Sequence, residues 1–404
     1  MQPNQALPGQ RLCLFFDGTW NEPGSHTNVW RLYLMLGLTG RDGVSQKTFY
    51  EEGVGTHWYD RVSGGAFGTG LPQNIRGAYR WLMEHYNPGD EIFLFGFSRG
   101  AFTARSLAGL IARCGILRPE AALSFTQLYS RYEKGEQVRP IYQLIREKAT
   151  LKNLDFEEKV LLDHSYYRRN LIKMIGVWDT VGSLGVPGSR RSSKYHNTHL
   201  SMVVQNAYQA LATDEYRQPY WAILWTTFVP EAKEPELRPD ERMIEQRWFS
   251  GAHANVGGGY AADLLPQRPL RWIQSKAEGC GLKFRSHITP DDDDMLMHER
   301  DSYAEFLRGF WRVATLGRRY TRWIMSDPVK KLTVLDGKQR AGHVKTVNER
   351  IDLSVFRRCQ KYPEYRPAGL REWAARKGKN LDEVITEPER FAELWNPVVT
   401  KGIE

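Results

Sequence analysis

Glu91-Ile-Phe-Leu-Phe95 runs straight into Gly96-Phe-Ser-Arg-Gly100, and that turn into Ala101-Phe-Thr-Ala-Arg-Ser-Leu-Ala-Gly-Leu-Ile-Ala-Arg113. The first stretch is continuously apolar after Glu91, as expected of a strand covered on both faces. The last has helical spacing and is followed at Gly115 by a residue suited to cap a helix C-terminus. A G-x-S-x-G between strand and helix has a steric logic. The turn strains the serine, so the positions two before and two after it must lack bulky side chains. Ser98 Oγ then stands above the sheet, and the backbone N–H of Arg99 sits at a helix N-terminus, where an oxyanion is favoured. The competing reading is a serine that merely caps the helix.

Outward from this turn, strand and helix signals alternate. Arg11-Leu-Cys-Leu-Phe-Phe16 reads as another buried strand and ends at the turn Asp17-Gly18-Thr19. Leu171-Ile-Lys-Met-Ile-Gly-Val-Trp178 reads as a third, ending at Asp179-Thr180. Glu245-Gln-Arg-Trp-Phe249, Tyr220–Trp225 and a short Thr48–Tyr50 are further strand candidates. Helical spacing marks residues 28–38, Ile75–Tyr86, 199–213 and Leu270–Gly279, with a glycine-rich loop from Gly53 to Gly70. The alternation predicts an α/β fold: a mostly parallel sheet with helices on both faces. Residues 1–10 read as a leader and 11–285 as one domain, interrupted by a polar helical cap or lid over about 120–170. Residues 286–404 read as an irregular extension packed on that domain.

Composition narrows the class. The 404 residues are 41% hydrophobic and 25% charged, the balance of a soluble globular chain. Aromatics are abundant, at 13 Trp, 19 Tyr and 17 Phe, enough to fill a core and line an apolar cleft. The net charge of +9 suits an anionic partner such as a phospholipid surface. The basic residues are scattered, in isolated pairs such as Arg318-Arg319, so no nucleic-acid stripe is expected. Four dispersed cysteines form no C-x-x-C pair, which argues against a disulfide framework or zinc knuckle. No secretory signal and no spanning helix are expected, so export would need a specialised route.

A serine hydroxyl needs a base, and the base needs an acid to hold its tautomer. His253 is the best placed of 10 histidines, after the strand at Trp248-Phe249 and before the flexible Gly257-Gly-Gly259. Asp179 is the expected acid, at the carboxyl end of its strand, where open α/β sheets place their reactive groups. Asp214 is the alternative acid. The loop Gly18-Thr19 is a candidate for the second oxyanion donor, although Asp17 could instead serve to fix that loop. His196 and His199 read as a solvated helix start and Asp291–Asp294 as a solvated acidic loop, so no metal is expected. The glycine-rich loop lacks the Lys-Ser/Thr ending of a P-loop, and no cofactor is expected.

Phe16-Asp-Gly-Thr-Trp-Asn21, Gly53-Val-Gly-Thr56, Gly89–Ala101, Val177-Trp-Asp-Thr-Val-Gly182, Ala210-Leu-Ala-Thr-Asp-Glu215 and Gly251–Tyr260 occur in that order. This ordered set resembles the α/β-hydrolase catalytic domain of the type VI secretion phospholipase effectors, from about Leu12 to Leu282 and more weakly to Tyr365-Arg-Pro367. The resemblance implies a triad of Ser98, Asp179 and His253. In the effector branch it implies hydrolysis of phospholipid acyl esters, with peripheral membrane contact and a secretion apparatus or immunity protein as partners. The chain departs from it in two ways. It is too short for a large membrane-contacting module, and Asn255 stands where many members carry an acid. A soluble carboxylesterase or thioesterase, and an interaction protein that kept the fold, are the competing expectations.

Overall fold

In the strand Arg11–Phe16 (β1), every residue is buried, and odd and even positions serve two different cores. Leu12, Leu14 and Phe16 face one side of a sheet, while Cys13 and Phe15 face the other. The neighbouring strand Glu91–Phe97 divides in the same way, with Ile92 and Leu94 on the first side and Phe93, Phe95 and Phe97 on the second. This two-sided burial is why the sequence reads as unbroken apolar runs rather than alternation.

The computed structural model describes residues 9–18, 25–53, 66–150, 153–182, 200–230, 243–260, 263–290, 301–305, 315–335 and 338–397. After β1 come α1 (Asn28–Met35), β2 (Gln46–Glu51), α2 (Ala66–His85), β3 (Glu91–Phe97) and α3 (Arg99–Cys114). A helical stretch follows: β4 (Ile116–Leu117), α4 (Phe125–Glu133), α5 (Ile141–Glu147), α6 (Phe156–His164) and β5 (Ser165–Tyr166). The chain returns to the sheet through β6 (Ile172–Trp178) and β7 (Val204–Ala212), then forms β8 (Thr226–Pro230), β9 (Met243–Phe249), α7 (His253–Gly257) and α8 (Gln267–Gly279). It continues with β10 (Val329–Leu335), β11 (Lys338–Thr346) and β12 (Glu349–Ile351).

Seven strands form one sheet in the order β12-β9-β7-β6-β3-β1-β2, and every pairing in it is parallel. One face is covered by α2 and α3, through residues such as Ile75, Leu82, Leu107 and Ile111. The other is covered by α1 and α8, through Val29, Leu32, Leu270 and Ile273. Such burial stabilises the fold by about 1.5–3 kcal/mol per large apolar side chain. The fold is α/β-hydrolase-like. The helical insertion shares the first core, contributing Leu128, Leu144 and Leu161. It lies along the C-terminal half of α3, where Arg113 donates to Val138 O at 2.8 Å and to Gly135 O. Among the described residues no helix is long and apolar enough to cross a membrane.

Four sequence expectations are corrected. Residues 199–213 are not a helix: Val204–Ala212 is β7, a central strand paired with β6 and β9. Its alanines favour helices locally, but burial on both faces hides the period of two, and tertiary pairing prevails. Tyr220–Trp225 is not a sheet strand. It begins as a 3-10 turn, Gln218–Tyr220, and makes an isolated bridge between Val181 and Ala222 in place of a strand ladder. Its polar backbone is satisfied instead by Thr180 and by the side chains of Arg105, Gln209 and Gln246. Gly68 and Gly70 belong to α2, which begins at Ala66, rather than to a loop. The described part of the segment beyond 286 is not irregular. β10 and β11 form a three-stranded antiparallel sheet with β8, and β12 extends the main sheet. Helices Leu353–Lys361, Ala368–Arg376 and Leu381–Thr386 follow, enclosing a third core that includes Leu211 of β7 and Trp248 of β9. His196, His199 and Asp291–Asp294 lie outside the described residues.

Candidate active site

Ser98 occupies the single residue between β3 and α3, with φ 58° and ψ −122°. This positive φ is costly for a residue with a Cβ and is held by its surroundings. The two glycines have no alternative. A Cβ at Gly96 would lie 2.6 Å from Gly100 O, and one at Gly100 would lie 2.1 Å from Phe16 O at the end of β1. Ser98 does not cap its helix through its side chain. Its backbone N–H donates to Trp178 O at 3.0 Å, tying the turn to β6, and its Oγ lies 2.8 Å from His253 Nε2.

His253 opens α7, just beyond the end of β9. It is brought beside the turn by close packing. Gly257 leaves so little space against Phe97 that a Cβ there would lie 1.9 Å from the ring. The Phe97 and His253 rings are 4.6 Å apart, and Tyr220 meets His253 edge-on at 5.1 Å. His253 Nδ1 is 2.6 Å from Asp179 Oδ2. With Nδ1 donating to the carboxylate, Nε2 is the acceptor for the Ser98 hydroxyl proton. Ser98 and His253 are buried apart from 7% and 6% of their surface, and Asp179 is fully enclosed.

Asp179 follows β6 in a left-handed conformation, φ 42°, with its N–H donating to Ala210 O at 2.7 Å. Burial would raise its pKa, but the charge of Arg322 and the bond from His253 outweigh that and hold it down at about 2. His253 is lowered by burial, which outweighs the opposite pull of Asp179 and Glu215. The carboxylate stays ionised and the imidazole is held neutral, the pairing a general base requires near neutral pH.

The other expected residues occupy supporting places. Asp214 holds the loop that carries His253: its Oδ2 accepts from Gly251 N at 2.7 Å and from Tyr365 OH at 2.6 Å. This gives a physical reason for the distant Tyr365 to accompany the other motifs. Gly18 donates its N–H to Asp17 Oδ1 at 2.7 Å, and Asp17 Oδ2 also accepts from Thr27 and Tyr50, at 2.6 and 2.8 Å. Asp17 therefore fixes this loop, and Gly18 spends its donor within it. Thr19 lies outside the described residues. Arg99 is the first residue of α3, and burial lowers its guanidinium to about 10. Asn255 accepts from Ala252 N at 2.9 Å and donates to Asp263 at 2.8 Å, bracing the turn before α7.

Sequence reasoning missed Arg322 and Glu215. Glu215 is fully buried, paired with Arg217 at 2.7 Å, and accepts weakly from His253 N at 3.4 Å. Its place in Ala210–Glu215 was a signal. Arg322, 143 residues from Asp179, carried none.

The profile of the family described as "T6SS, Phospholipase effector Tle1-like, catalytic domain" matches residues 10–276. The chain belongs to this Tle1-like family. The matched region contains Ser98, Asp179, Asp214, Glu215 and His253, and ends before Arg322. An uncharacterised protein of Saccharomyces cerevisiae is 27% identical over 321 residues, covering 68% of this chain and 44% of the yeast protein. The chain thus spans under half the length of this Tle1-like domain's curated relative. Among solved structures, an uncharacterised Pseudomonas aeruginosa protein is similar with TM-score 0.39 and 16% identity, over 70% of this chain and 47% of that one. Esterase 2 of Thermogutta terrifontis is similar with TM-score 0.34 and 13% identity, over 69% of this chain and 87% of the esterase.

Proposed function

We propose that the chain is a lipolytic serine hydrolase that cleaves carboxylic esters, with phospholipid acyl esters as its substrates. The observation that carries this reading is the hydrogen-bonded series Ser98 Oγ, His253 Nε2, His253 Nδ1 and Asp179 Oδ2, with links of 2.8 and 2.6 Å. In this reading His253 takes the Ser98 proton as Oγ attacks the ester carbonyl. Asp179 stabilises the imidazolium that forms, and Arg99 N–H at the start of α3 receives the oxyanion. The imidazolium then protonates the leaving alcohol. Water, activated by His253, releases the fatty acid from Ser98.

Three features support a lipid substrate. The family is named for phospholipase effectors. Trp221, next to the Tyr220 that packs on His253, is 44% exposed and offers an apolar rim. The net charge of +9 favours anionic bilayers. The family name also supports export through a type VI apparatus.

The test is fatty-acid release from phospholipid liposomes, resolved by mass spectrometry. Ser98→Ala should lower release by about 10³-fold or more. Undiminished release by that variant would end the serine mechanism. Turnover of short soluble esters, with no rise when the substrate forms micelles, would reassign the substrate and leave the mechanism standing.

A further inference from the structure

Asp179 Oδ2, the oxygen that holds His253 Nδ1, is shared. Arg322 Nη2 donates to it at 3.0 Å, and Arg322 Nη1 donates to Oδ1 at 2.6 Å. The guanidinium is anchored on its far side as well, by Ala212 O at 3.0 Å and by Tyr220 O. Its backbone is seated against the helix Ala368–Arg376, where a Cβ on Gly369 would lie 2.5 Å from Arg322 O. Arg322 is 3% exposed. Such a two-pronged, buried grip fixes a carboxylate's plane as well as its charge, which a lysine cannot do.

We infer that Arg322 is a positioning residue, supplied from outside the family-matched region, that clamps Asp179 and sets the acidic limit of Ser98 reactivity. The inference rests on the hydrolase reading above. Its logic is competition. A carboxylate facing only an imidazole would stabilise imidazolium strongly, so the base would be protonated and idle at mildly acidic pH. Arg322 balances the same carboxylate with a permanent charge, leaving His253 neutral and available. Among the described residues, the charged groups Glu215 and Arg217 also face the cluster, paired with each other at 2.7 Å beside His253. They oppose one another there, Glu215 raising and Arg217 lowering the imidazole. Removing the charge of Arg322 moves the acidic limb upward by either microscopic route. Imidazolium gains the full attraction of Asp179, or the buried Asp179 takes up a proton and lets His253 drift.

The experiment uses the full chain. Labelling of Ser98 by a fluorophosphonate and hydrolysis of a short p-nitrophenyl ester are followed against pH, from about 4 to 9, across the range where imidazole titrates. Arg322→Gln should move the acidic limb of both curves upward by about 1 pH unit or more and lower the plateau. Arg322→Lys keeps the charge and loses the fork, so its plateau should fall while its limb stays within about 0.3 units of wild type. A purely structural role would lower plateaus without moving the limb. Absence of wild-type labelling at every pH would defeat the hydrolase reading itself. Normal wild-type labelling with an unmoved limb in folded Arg322→Gln would overturn only the role given to Arg322. If Arg322→Gln does not fold, Arg322→Met removes the same charge while keeping the length of the side chain, and an unmoved limb there would overturn the inference.

Discussion

At the scale of single residues, the site is organised around one buried carboxylate. Asp179 accepts from Ala212 N, Arg322 Nη1 and Nη2, and His253, so both of its oxygens are engaged. Asp179→Asn keeps the shape but presents an amide that favours the wrong imidazole tautomer, and ester turnover should fall about 10⁴-fold. A fall of less than tenfold would remove Asp179 from the mechanism. The pH dependence follows from signs. Folding depresses His253 below its ordinary 6.5, so protonating it opposes the native state, and the acidic limb of kcat/KM should lie below 6.5. Folding also depresses Asp179, from 3.8 to about 2. Its contribution to stability is whole above 3.8 and is lost as pH falls toward 2. Equilibrium unfolding followed against pH should show that loss, and a wild-type activity limb above 7 would contradict the assigned directions.

At the scale of elements, what the sequence revealed and what it hid have separable causes. The strand–turn–helix at Ser98 was legible because its motif lies within five residues and Gly96 answers to Gly100 O inside the turn, although Gly100 itself is required by the distant Phe16. The places of Asp179 and His253 beside Ser98 were legible because strand ends mark the carboxyl edge of a parallel sheet. β7 was hidden, because a strand buried on both faces shows no alternation and its alanines imitate a helix. The strap after Tyr220 was hidden because side chains hold it. Fully buried Gln246 accepts from Trp225 N at 2.7 Å and donates to Trp225 O and Val347 O at 3.0 and 2.8 Å. No periodicity announces a glutamine that replaces a neighbouring strand. Gln246→Leu keeps the volume and orphans these backbone groups, so it should cost roughly 3 kcal/mol in urea unfolding. A cost below about 0.5 kcal/mol would mean that the strap satisfies itself in another way.

At the scale of the whole molecule, the segment after residue 315 is part of the machine rather than an appendage. β12 completes the sheet beside β9, and Glu349 within it accepts from Trp248 Nε1 at 2.8 Å and from Met325 N at 2.9 Å. Arg376 holds the stretch that carries Arg322, donating to Met325 O at 2.8 Å and Ile324 O at 2.5 Å. That arginine ends the helix Ala368–Arg376, whose fully buried Trp373 packs on Phe356 with ring centres 6.1 Å apart. The path from this third core to Asp179 therefore runs through Trp373, the helix, the 322–325 stretch and the guanidinium. Trp373→Ala removes the largest side chain on that path and should cost about 3–5 kcal/mol. Because the same helix seats Arg322, heating should abolish fluorophosphonate labelling of Ser98 no later than it melts the C-terminal core, and at a lower temperature than in wild type. Labelling that outlasts the melting of that core would show that the sheet and its Ser98 turn hold their geometry alone, and that the clamp on Asp179 is dispensable to it.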